Sequence, residues 1–89
     1  MSDRGALVLL TRPGCHLCER VRSPLADLAE RHGWQLEEAD VDADPGHRAR
    51  YGRRIPVLLW AGEVVAEGRF SPESALAKVI AAAAGRTIR

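Results

Sequence analysis

A continuous apolar run, Ala6-Leu7-Val8-Leu9-Leu10-Thr11, leads directly into the chain's only two cysteines, Cys15 and Cys18. Such a run has no polar face, so it reads as a strand covered on both sides, which implies a sheet with helices above and below it. Residues 11–14 make a turn. Beyond it, Leu17, Val21, Leu25 and Leu28 recur at helical spacing and predict a helix over 16–32. The cysteines therefore stand at a strand-to-helix junction. A helix that starts near Cys15 sets its sulfur before the unpaired backbone N–H groups of the first turn and brings Cys18 within disulfide reach. Those groups and the helix dipole favour the thiolate, which is the nucleophilic form.

The remaining elements follow from local signals. Pro24 lies inside the first helix and removes a bond to the Arg20 carbonyl, so a kink is expected there. Gly33 suits the left-handed cap that ends the helix. Residues 34–41 form a less apolar strand, suited to a sheet edge. Asp44 caps a short helix over 45–52, with Pro45 at its first position. Residues 55–60 are a third strand, headed by Pro56, and Ala61-Gly62 turns it back into a fourth over 63–67. Ser71-Pro72 opens the last helix, with Leu76, Val79, Ile80 and Ala83 facing inward, an end at Gly85 and a frayed tail over 86–89. The order β-α-β-α-β-β-α predicts an α/β fold, a four-stranded mixed sheet with helices on both faces.

Size and charge narrow the function. A chain of 89 residues is one domain, 1–89. Its net charge of +1 gives no broad electrostatic case for nucleic acid or membrane. The apolar runs are far too short for a bilayer span, and Met1-Ser2-Asp3-Arg4-Gly5 does not read as the start of a signal peptide. A cytoplasmic location is expected, where a closely spaced cysteine pair is more often catalytic than structural. No metal site is expected, because His32 and His47 lack the spacing of zinc ligands. Arg48, Arg50, Arg53 and Arg54 read either as a solvated face or as a docking patch for acidic partners, close in sequence to Pro56.

Strand, Cys-x-x-Cys at a helix start and a later Ile55-Pro56 before a hairpin together resemble the thioredoxin superfamily. The small size resembles its glutaredoxin branch. Thr11-Arg12-Pro13-Gly14-Cys15-His16-Leu17-Cys18, followed by Tyr51-Gly52 and Ile55-Pro56-Val57, is similar to a family of short bacterial glutaredoxin-like proteins. The resemblance implies a thioredoxin fold and a thiol–disulfide oxidoreductase acting on protein or small-molecule mixed disulfides. It makes Cys15 the nucleophile, Cys18 the resolving thiol and Pro56 a cis-proline, with the Ile55 main chain bonding a cysteinyl substrate. Arg12 then contacts the carboxylate of a glutathione substrate and favours the Cys15 thiolate. His16, next to Cys15, either lowers the Cys15 pKa further when protonated or is simply solvated. Gly68, Arg69 and Ser71 stand where the family holds the far end of its thiol substrate. Glutathione or another low-molecular-weight thiol, or a reductase, is the implied electron donor, and a monomer with no bound cofactor is expected. The same family also includes binding modules and iron–sulfur carriers, in which Cys15 and a thiol cofactor hold a cluster with little turnover.

Overall fold

The computed structural model describes residues 7–88. The elements are β1 (Leu7–Thr11), α1 (His16–Arg31), β2 (Leu36–Asp40), α2 (Pro45–Tyr51), β3 (Val57–Trp60), β4 (Glu63–Glu67) and α3 (Pro72–Ile88), with a single 3₁₀ turn, Val41–Ala43, between β2 and α2. This is the expected order, and the strands form one mixed sheet in the order β2-β1-β3-β4. β1 runs parallel to β2 and antiparallel to β3, and β3 pairs antiparallel with β4.

Side chains alternate across a strand, and here the alternation sorts them into two cores. Leu7 and Leu9 of β1 and Leu58 and Trp60 of β3 join Val21, Leu25 and Ala29 of α1 and Ala75, Leu76 and Val79 of α3. Leu10 of β1 and Val57 and Leu59 of β3 point the other way, to Val41 and Tyr51. Thus α1 and α3 cover one face and α2 the other. The central strands are apolar on both sides because both sides are covered.

Several boundaries differ from the sequence reading. β2 begins at Leu36 rather than 34, and β3 begins at Val57 because Ile55 and Pro56 have no ladder partner. α1 continues through Pro24, which faces solvent. α3 does not stop at Gly85 but carries on to Ile88. Ile80 is 40% exposed, since the buried stripe of α3 centres on Ala75 and Val79 and leaves Ile80 at its border. Leu17 and Leu28 of α1 are half-buried. Of the expected strand start and frayed tail, Ala6 and Arg89 lie outside the described residues.

Candidate active site

The site begins where β1 ends. The Cys15 N–H donates to the Arg12 carbonyl at 3.1 Å and closes the turn. Gly14 has φ +85°, a backbone conformation that glycine adopts without steric cost. Cys15 is the N-cap of α1, in extended conformation, and its Sγ accepts the Cys18 N–H at 3.2 Å. A sulfur therefore occupies the place where a serine or aspartate oxygen usually satisfies a helix end. Cys15 and Cys18 are joined as a disulfide with a Cα–Cα distance of 5.2 Å, within the ordinary range. Cys15 is half-buried. Cys18 is only 3% exposed, because it shares the buried stripe of Val21, Leu25 and Ala29.

Arg12 is paired with a carboxylate and a main-chain carbonyl. Its Nε and Nη2 donate to the two carboxylate oxygens of Asp42, each at 2.8 Å, and its Nη1 donates to the Gly52 carbonyl at 3.1 Å. The hydrogen bond to Asp42 raises the Arg12 pKa further above its ordinary value, and the same bond holds the Asp42 carboxyl below its own. A carboxylate thus matches the guanidinium charge, and its field at Cys15 is correspondingly reduced. The backbone N–H groups of α1 are left as the dipolar partners of Cys15. His16 is exposed on the first turn.

The other wall comes from the loop before β3 and the start of α3. The Ile55–Pro56 peptide is cis. Gly68 reaches across, its N–H shared between the Arg54 carbonyl at 2.9 Å and the Pro56 carbonyl at 2.8 Å. Among the described residues, no hydrogen bond reaches the main-chain N–H or carbonyl of Ile55. Gly68, Arg69, Phe70 and Pro72 line a groove of about 160 Å³ together with Leu17, Arg20 and Val21. Leu17 lies between the two cysteines in sequence, so this groove links α1 to the Gly68 loop. Ser71 is committed to capping α3: its Oγ accepts the Ser74 N–H at 3.1 Å. A second hollow of about 370 Å³, between α1 and β2, includes Cys18, Arg12, Glu38 and Asp40 in its lining.

Four contributors escape the sequence reading: Asp42, the Gly52 carbonyl, Arg20 and Phe70. The first two meet Arg12 across 30 and 40 positions, a separation at which no local pattern signals contact. Arg20 stands one turn beyond Leu17, and that spacing is a signal that could have found it.

Residues 6–81 match the sequence family described as a glutaredoxin-like domain (DUF836). The chain belongs to this glutaredoxin-like family. An uncharacterized protein of Mycobacterium tuberculosis is 42% identical over 65 residues, covering 67% of each chain, and one of Mycobacterium bovis matches to the same extent. Among solved structures, a structural-genomics target protein from X. campestris superimposes with TM-score 0.63 at 28% identity, over 85% of this chain and 97% of that one. A protein of Nitrosomonas europaea gives TM-score 0.65 at 27% identity, over 80% and 86%. The glutaredoxin-like domain with its paired Cys15 and Cys18 fits a thioredoxin-like redox role. Among the described residues, no helix is long and apolar enough to cross a membrane.

Proposed function

We propose that the protein is a thiol–disulfide oxidoreductase that reduces protein or small-molecule mixed disulfides through Cys15 and Cys18. The observation that carries the reading is the Cys15 sulfur at the N-cap of α1, accepting the Cys18 N–H. An N–H that donates to this sulfur donates more strongly to a thiolate, and the helix dipole acts in the same sense. The half-buried Cys15 is the attacking group and the buried Cys18 the resolving one.

In the reduced protein the Cys15 thiolate attacks one sulfur of the substrate disulfide. The substrate S–S bond breaks, one substrate thiolate leaves, and Cys15 forms a mixed disulfide. Cys18, having lost its proton, attacks the Cys15 sulfur and expels the second substrate thiolate. The leaving thiolates take up protons. Two electrons have passed to the substrate, and the Cys15–Cys18 disulfide remains. Two equivalents of a low-molecular-weight thiol such as glutathione, or a reductase, return the pair to dithiol. The main-chain groups of Ile55, beside Pro56 and unbonded among the described residues, are suited to bonding an extended cysteinyl substrate. Gly68 and Arg69, on the groove with Leu17, are suited to its far end. Ser71 acts there through the helix start it caps. A reducing cytoplasm is the fitting location.

Alkylation of the reduced protein at neutral pH, followed by peptide mass analysis, tests the assignment. Cys15 is expected to label first, and labelling of Cys18 first, or of both equally, overturns the order. Incubation with an oxidised small thiol should trap a mixed disulfide on Cys18→Ser and none on Cys15→Ser. Turnover of a small mixed disulfide is expected in the wild type and lost in Cys15→Ser. Bound iron with negligible turnover would favour a carrier instead.

A further inference from the structure

Four arginines, Arg48, Arg50, Arg53 and Arg54, fall within residues 48–54, on the end of α2 and the loop that leads to β3. With Ala49 they line an open groove of about 460 Å³. The chain as a whole carries a net charge of only +1, so this is a local concentration set against acid elsewhere. Five of the twelve acidic residues lie along β2 and the turn after it, at Glu37, Glu38, Asp40, Asp42 and Asp44. Part of this acid is answered by other cations: Arg22 pairs with Glu38 at 3.1 Å and Arg12 with Asp42 at 2.8 Å. Within the groove, Arg54 pairs with Glu67 at 3.3 Å, and Arg48 adds to the field that holds the Asp42 carboxyl low. Among the described residues, Arg50 and Arg53 form no ion pair.

The backbone that carries these side chains is held at several points. The Gly52 N–H donates to the Arg48 carbonyl at 3.0 Å and the Arg54 N–H to the Tyr51 carbonyl at 2.8 Å. The Gly52 carbonyl accepts Arg12 Nη1 at 3.1 Å, and the Arg54 carbonyl accepts the Gly68 N–H at 2.9 Å. A fixed backbone reduces the ordering cost of binding. Two of these bonds also locate the groove relative to the cysteines. Arg12, which bonds Gly52, supplies the carbonyl that accepts the Cys15 N–H. Arg54 directly precedes Ile55, whose main-chain groups are unbonded among the described residues.

We propose that the groove of Arg48, Arg50, Arg53 and Arg54 selects disulfide substrates whose polypeptide is acidic beside the reacting cysteine. The proposal rests on the reading of Cys15 and Cys18 as an exchange pair and adds the class of partner. An extended segment against Ile55 passes next to the arginines. Its same-side residues recur about every 7 Å, so successive carboxylates can meet separate guanidinium groups. A nucleic acid fits less well, because its long run of phosphates would also meet the acidic β2 side of a nearly neutral molecule.

The test uses the full chain and three single-cysteine peptides, each as a mixed disulfide with a chromogenic thiol. Asp and Glu, Ser, or Lys flank the cysteine. At low salt, kcat/KM is expected to favour the acidic over the neutral peptide roughly tenfold, with the preference shrinking as salt screens the charges. Arg50→Glu/Arg53→Glu is expected to turn over the neutral peptide as the wild type does and to prefer the Lys peptide, whereas Arg50→Lys/Arg53→Lys keeps the acidic preference. Equal rates on all three peptides, or an acidic preference that survives charge reversal, overturns the proposal and leaves the exchange reading intact. In a second arm, fluorescence anisotropy follows a labelled acidic peptide lacking cysteine on Cys15→Ser. Binding that disappears on adding Arg50→Glu/Arg53→Glu supports the groove even if no peptide turns over, a result that would instead remove the exchange reading. Absence of binding, or tighter binding of a single-stranded oligonucleotide, overturns the acidic-polypeptide assignment.

Discussion

Arg12 illustrates how one residue's contacts bear on the role expected of it. A lone cation three positions before Cys15 would draw the thiol toward its thiolate, yet the guanidinium is held in a two-pronged pair with Asp42. Removing both the cation and its matched field should therefore matter little to the sulfur. For Arg12→Ala/Asp42→Ala, which removes both charges, the Cys15 alkylation rate at neutral pH is expected to change by less than about twofold, the scale of an exposed and compensated charge. A tenfold fall would return the tuning role to Arg12. The carboxylate side of the pair predicts a pH dependence. Asp42 is held low by its bond to Arg12, and Asp44 by the His47 and Gly46 N–H groups that it caps. Depressed folded-state values give stability that is present above the unfolded carboxylate pKa of about 3.9 and lost as pH falls through the lower folded values. Asp42→Asn and Asp44→Asn should each melt lower than the wild type at pH 7, with the gap closing in strong acid. A gap that stays constant with pH would show that the charge is not the cause.

At the scale of elements, the β3–β4 hairpin shows what local sequence carries and what it omits. Trp60 pairs with Glu63, leaving a two-residue loop of Ala61 and Gly62, both at positive φ, +53° and +83°. That pair of conformations suits the type I′ turn, whose right-handed twist matches the strands. Gly62 adopts its angle freely, whereas Ala61 carries a Cβ that disfavours the left-handed region by about 1–2 kcal/mol. Asparagine tolerates that region better, so Ala61→Asn should raise Tm by a few degrees in a calorimetric melt. A lowered Tm would mean that the half-buried alanine methyl matters more than its backbone. The turn was legible from Gly62 and from the brevity of the loop. The strain was not, because alanine carries no turn signal. The same division holds elsewhere. Asp44-Pro45 and Ser71-Pro72 announced their helices because a cap is a local bond. The start of β3 falls two residues later than the sequence pattern places it, because whether Ile55 and Pro56 find a ladder partner is decided by the register with β1 and β4, which no local pattern carries. The cysteine site was legible because strand, turn and helix start are contiguous; the Arg12–Asp42 pair was not, because it joins separate elements.

Across the whole molecule, the two cores are unequal, and the inequality falls on the face that carries the arginines. The larger core ties β1, β3 and β4 to α1 and α3 through many buried side chains. On the other face, α2 contributes Tyr51 as its one buried residue, set among Leu10, Val41, Val57 and Leu59. The arginine groove therefore rests on a helix whose one buried side chain is a single aromatic ring, while the cysteine helix is fixed by the opposite core. Local stability should follow this division. Truncating a buried aromatic costs about 3–5 kcal/mol when the cavity cannot close, but at a peripheral helix the chain can yield locally instead. Tyr51→Ala is expected to strip hydrogen-exchange protection from the amides of α2 and the 52–54 loop, leaving those of β1 and α1 close to wild type and Cys15 alkylation unchanged. Tyr51→Phe, which keeps the ring, should retain protection throughout. Uniform loss of protection in Tyr51→Ala would show instead that the two cores unfold as one unit and that α2 is no separate platform.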